Sequence, residues 1–144
     1  MEQLLQTLLA IPEAGALAAA VEGGRCPAAV TGLAPVHRAQ IAAALAAETG
    51  RPLVMVCSDE GEAARLAADL EILLGRRSLR LFARELFVRA GTVISRQWEH
   101  NRIAALYALG RNSGAPIVVC TAEGLLQKTS PRLHAAALTL TAGE

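Results

Sequence analysis

The sequence predicts an α/β fold in which a parallel sheet carries helices on both faces. Three observations carry that expectation. Wholly apolar, β-branched runs recur along the chain, as in "PLVMVC" and "APIVVC", and such runs mark strands covered on both sides. Amphipathic helical segments alternate with them. The connections between the two are only a few residues long, which favours parallel strands joined by crossover helices.

Residues 3–10 and 13–22 read as two short helices divided by Pro12, the second stopped by Gly23 and Gly24. A strand is expected near 27–31. Pro35 suits the first turn of a helix, where its missing N–H costs nothing. That helix runs to Glu48 and ends at Gly50. "PLVMVC" (52–57) is the next strand. In "SDEGEAARLAADLEILLG", Ser58 or Asp59 can cap a helix whose early acids suit the helix dipole. Ala63, Leu66, Leu70 and Leu73 form its apolar stripe, and Gly75 ends it. "SLRLF" (78–82) is a short strand and 83–94 an irregular connection. Ser95 caps a helix through Leu109. "APIVVC" (115–120) is the fourth strand, "TAEGLLQKT" a short helix, and "AALTLT" (136–141) an alternating last strand.

Composition narrows the function classes. The chain has 144 residues, enough for one domain with a useful core. Aromatics are 3% and hydrophobic residues 53%, so the core is built from Ala, Leu, Val and Ile. A net charge of +1, with both signs interspersed, gives no electrostatic footprint for nucleic acid. Cys26, Cys57 and Cys120 are widely spaced and form no CxxC pair, which disfavours zinc and a disulfide framework. Buried free thiols fit a reducing cytoplasm. The N-terminus has neither the basic start nor the unbroken apolar stretch of a signal peptide, and no segment suits a membrane span.

Ligands of parallel sheets bind at the carboxyl ends of the strands. "AVTGLAPVHRAQIAAAL", from Ala29 to Leu45, lies at such an end and has the strand–turn–helix order of a phosphate loop. That loop needs glycines, a lysine for the outer phosphates and a hydroxyl for magnesium. With Thr31-Gly32 in mid-loop, those places fall on Ala29, Ala34, Pro35 and Val36. A plain turn over Thr31, Gly32, Leu33, Ala34, Pro35 and Val36 is the stronger reading, and neither ATP nor magnesium is expected here. His37 and His100 lack a triad-like setting. Asp59, Glu60 and Glu62 read as dipole complements rather than metal ligands. Arg84, Arg89, Arg96 and Arg102 read as solvated surface, with a docking patch as second choice. Trp98 shares a helical line with Ala105 and Leu109 and reads as core-edge or interface, and Phe87 and Val88 as a pinned loop or docking patch.

"VTGLAPVHRAQIAAALAAETGRPLVMVCSDEGEAARLAADL", then "ARELFVRAGTVISRQWEHNRIAALYAL" and "APIVVCTAEGLLQKTSP", resemble the N-terminal module of the bacterial transcription-repair coupling factor family. That module is related to the B component of the repair excinuclease but has a decayed nucleotide site. The resemblance spans residues 1–144 in order. It implies N-terminal helices over 1–25 and a degenerate P-loop, RecA-like subdomain over 26–144, ending about where an inserted domain would begin. It implies a non-catalytic docking and regulatory role, with Phe87, Arg89, Arg96 and Trp98 as interdomain contacts. Partners would be other domains of the same protein. RNA polymerase, the A component of the excinuclease, DNA, ATP and magnesium would be engaged through other segments, in the cytoplasm and away from membranes. A stand-alone nucleotide-binding protein or a structural domain remains the alternative.

Overall fold

The protein is seen in a computed structural model that describes residues 1–83, 96–111 and 114–129. It is an α/β fold. Among the described residues the order is α1 (Glu2–Leu9), α2 (Pro12–Glu22), α3 (Pro35–Thr49), β1 (Leu53–Cys57), α4 (Glu60–Leu74), β2 (Leu79–Leu81), α5 (Gln97–Arg111), β3 (Ile117–Thr121) and α6 (Ala122–Leu126). The strands form one parallel sheet, ordered β1-β3-β2. Leu53 lies beside Ile117 and Cys57 beside Thr121 on one flank of β3, and Leu79 lies beside Val118 on the other.

The strand expected near 27–31 does not form: residues 25–31 have no regular structure. Pro27 cannot donate to a ladder, and two alanines bury too little surface to hold the segment against a sheet. Residues 22–32 are exposed throughout. The three later runs are strands, with ends that differ by a residue or two from those expected. "AALTLT" lies outside the described residues.

Helix ends follow local chemistry. Pro12 and Pro35 each occupy a first helical turn. Asp59 caps α4 by accepting the Glu62 N–H at 2.8 Å. The core lies where α1, α3 and α4 meet the sheet. Leu5, Ala39, Ala43, Ala63, Leu66, Leu70, Ile117 and Val119 are buried there, with Leu53 and Met55 packed against them. Alanine faces on α3 and α4 let the helix backbones approach closely, so the core closes without aromatics.

Helix α4 also fixes β2 at both ends. Near its C-terminal end, the Glu71 carboxylate accepts the N–H and hydroxyl of Ser78 at 2.9 and 3.0 Å. At its first turn, Glu60 accepts the Ala83 N–H at 3.2 Å and pairs with Arg80 at 2.6 Å. A helix rises about 16 Å from residue 60 to 71, and a strand extends about 16 Å from 78 to 83. The two carboxylates therefore match the length of the strand they hold. Arg80 also stacks on the Phe82 ring, 4.3 Å from its centroid.

Arg102, read from sequence as solvated surface, is instead only 6% exposed. Its guanidinium donates to the carbonyls of Phe82 (2.9 Å), Gly124 (2.8 Å) and Gln127 (3.1 Å) and to the Thr129 hydroxyl (3.3 Å). Gly124 must be glycine because a Cβ there would sit 2.6 Å from the Leu81 carbonyl oxygen. Arg102→Ala should lower unfolding stability by about 2–5 kcal/mol, since buried carbonyls lose their donor. Gly124→Ala should cost about 1–3 kcal/mol by overpacking. Urea unfolding of each variant and of the double variant checks both, and the double should cost less than the sum, because both act on one contact.

Candidate functional site

The carboxyl edge of the sheet is where a ligand would be sought. The N-termini of α3, α4 and α6 lie there. α3 begins after the turn at Gly32, whose φ of +79° is the left-handed conformation glycine favours. Its N-cap, Ala34, offers no side-chain bond, and Pro35 follows as the first helical residue. The His37 and Arg38 N–H groups both donate to the Ala34 carbonyl, at 3.0 and 3.2 Å. Pro35 has no N–H, so Val36 is the first-turn donor that remains.

Arg38 donates to Glu62 of α4 at 3.1 Å. Glu62 reaches back further and accepts the Ser58 N–H at 2.9 Å and the Ser58 hydroxyl at 2.7 Å. This resembles a capping box shifted outward by one residue, with Asp59 bonding inward and Glu62 bonding to the residue before the cap. The Ser58 N–H and hydroxyl hold the Glu62 carboxyl below its ordinary range, with Arg38 adding to them. The Glu62 N–H holds Asp59 low, helped by the Ser58 hydroxyl. At the end of β3, Thr121 caps α6 by accepting the Gly124 N–H at 3.2 Å.

Cys57, at the end of β1, is buried, and burial followed by the charge of Glu62 pushes its thiol up. Burial does the same to Cys120. Both are poor nucleophiles. Cys120 lies beside Val56 rather than Cys57, so the two thiols point to opposite faces of the sheet. Cys26 is a free, exposed thiol. Among the described residues no group of His, Cys, Asp or Glu could hold a metal ion, and no single helix is long and apolar enough to cross a membrane.

Arg96, Trp98 and His100 lie close together in sequence at the start of α5, and His37 lies in the first turn of α3. His37 and His100 are exposed. Arg96 lies just before α5 with its side chain 80% exposed and Glu99 3.9 Å away, and Trp98 in the first turn is half-buried. Arg84, Phe87, Val88 and Arg89 lie outside the described residues. Two grooves have no single-residue signature in the sequence. One, of about 510 Å³, is apolar and lies between α2, the turn and α3, lined by Ile11, Leu17, Val30, Leu33 and Ile41. The other, of about 500 Å³, runs along β2 between α4 and α5, past Ser78, Arg80, Asn101 and Ala105.

Compared with known proteins, the chain matches no family model, no curated protein and no solved structure.

The depressed carboxyls fix the sign of the pH response. A carboxyl whose folded pKa is lowered adds stability that is complete above its unfolded value, about 4. That contribution is lost as pH falls through the lower folded value. Glu62→Gln should therefore lower the melting temperature at neutral pH, and the gap to wild type should close in strong acid. Thermal melts from neutral pH down through the carboxylate range check this.

Proposed function

We propose that the chain is a non-catalytic docking and regulatory module of a transcription-repair coupling factor. Its finer fold is then a three-layer, RecA-like subdomain in which the phosphate loop has decayed. One observation carries the reading. At the turn where such folds place a phosphate, Pro35 removes a backbone donor and Arg38 is tied to Glu62 at 3.1 Å. The groups that would bind and polarise a nucleotide are replaced by contacts that brace α3 against α4.

In this role the module works by contact with other domains of a coupling factor. ATP, magnesium, DNA, RNA polymerase and the A component of the excinuclease belong to other segments of that protein, and its setting is the cytoplasm. The start of α5 is the surface in view for the contact. Arg96 is exposed there and Trp98 is half-buried, an aromatic–arginine pairing favoured in interfaces.

Two measurements test the proposal. Calorimetric titration with magnesium-ATP should give no binding heat and no phosphate release, and saturable binding lost on altering residues 32–36 would overturn the non-catalytic reading. Trp98 is the sole tryptophan, so its emission reports on the α5 surface directly. Adding the translocase motor of a coupling factor should shift that emission saturably, and Arg96→Glu should weaken the response. A flat titration would overturn the docking reading.

A further inference from the structure

The lateral flank of β1 has properties that the carboxyl edge lacks. β1 is an edge strand, paired with β3 on one side only among the described residues. The Leu53 N–H donates toward β3, to the Pro116 carbonyl at 2.9 Å. Backbone groups of successive strand residues point to alternate sides. The N–H and C=O of Val54 and Val56 therefore point outward, away from β3.

Their side chains are equally bare. Leu53, Met55 and Cys57 face the core, so Val54 and Val56 lie on the opposite face, and each is 53% exposed. Their neighbours across the ladder, Val118 and Cys120, are buried. Edge strands of soluble proteins are ordinarily guarded by an inserted charge, a bulge or a proline. "LVMVC" contains none of these.

The ends of the strand define a length and a centre. Pro52 precedes the first paired residue and has no N–H to give. The Ser58 N–H, just past the last, is taken by Glu62. Among the described residues the unpaired edge thus runs from 53 to 57 and is centred on Met55. An antiparallel partner with the same sequence, related by a two-fold axis at Met55, would set Val54 opposite Val56 of the second copy. Each such pair can exchange both backbone hydrogen bonds, because the outward-pointing groups are those of Val54 and Val56. The same register sets Arg51 opposite Asp59 of the second copy. Arg51 is exposed and its guanidinium donates to the Val21 carbonyl, while Asp59 is an exposed carboxylate. Hydrogen-bond phase, β-branched side chains and charge are all self-complementary in one register.

We propose that the chain forms a reversible two-fold dimer by antiparallel pairing of β1 with β1 of a second copy, extending the sheet across both molecules. This inference rests on the β1 flank alone and is independent of the coupling-factor reading. A five-residue edge makes a small isologous interface, so the dimer dissociates on dilution.

Sedimentation velocity on the 144-residue chain across a concentration series tests it. The wild type should shift from monomer to dimer as concentration rises, and a chain that stays monomeric throughout would overturn the proposal. The double variants Val54→Lys/Val56→Lys and Val54→Glu/Val56→Glu put like charges directly opposite, and each alone should dimerise at least about tenfold more weakly. Mixed together they should pair with each other, since lysine then meets glutamate. Variants that dimerise like wild type, or a mixture that stays monomeric, would overturn the surface or the register. Circular dichroism and melting monitor the fold of each variant, whose changed residues are exposed. If either double variant fails to fold, position 51 decides. Arg51→Glu should weaken dimerisation and Arg51→Lys preserve it, and equal behaviour of the two would overturn the register.

Discussion

A buried guanidinium holds this fold together. Arg102 brings a charge into the interior, and among the described residues it is met by oxygen dipoles collected from three places. These are the end of β2 at Phe82, the short helix α6 at Gly124 and the chain leaving it at Gln127 and Thr129. A planar fork with several fixed donors suits such divided acceptors, where a lysine ammonium would not. Burial pulls the Arg102 pKa down, yet arginine stays charged at any physiological pH. The contact is therefore a constant of the structure and not a switch. Its geometry also dictates a second residue. α6 can bring the Gly124 carbonyl to Arg102 only by passing so close to Leu81 that no side chain fits at 124.

That dependence on polar fastenings follows from the composition. Alanine surfaces on α3 and α4 allow close helix packing, but each alanine contributes little apolar area. Among the described residues the largest fully buried side chains are Leu70, Ile117 and Val119, and Cys120 on the other face of the sheet. A core of this kind holds the elements together without dictating their register. Register is supplied instead by groups that reach a single acceptor or donor. Glu60 and Glu71 fix β2 along α4, Arg38 and Glu62 fix α3 against α4, and Asp59 and Thr121 set the first turns of α4 and α6.

The sequence is legible wherever one residue type answers one physical demand. Two of the later strands are apolar runs, at 53–57 and 117–121, and the short strand at 79–81 places two leucines around Arg80. Prolines in first turns and glycines at helix ends place α2, α3 and α4 within a residue or two. The segment at 27–31 misleads because a pattern of small apolar residues after a proline carries the period of a strand without the area to secure one. Arg102 misleads because helical position alone does not tell a buried arginine from a solvated one. Most of its acceptors are main-chain carbonyls, which leave no trace in side-chain identity. At the turn over 31–36, the glycine and the proline that shape it are plain. The Arg38–Glu62–Ser58 contacts that occupy this edge are not, because they join elements separated by a strand.

These contacts divide the sheet into two chemically different borders. At the carboxyl edge, the donors and acceptors of Ser58, Asp59, Glu62 and Arg38 bond to one another, and Thr121 bonds to the first turn of α6. These bonds hold the side chains in place and tie α3 to α4. Along the flank of β1, the outward N–H and C=O groups are answered by no other strand among the described residues, and the adjoining valines are half in water. A partner there gains hydrogen bonds and apolar burial without displacing a strand already in place. The polar side chains at the carboxyl edge thus brace the fold, whereas among the described residues the backbone groups left without a strand partner lie along the outer flank of β1.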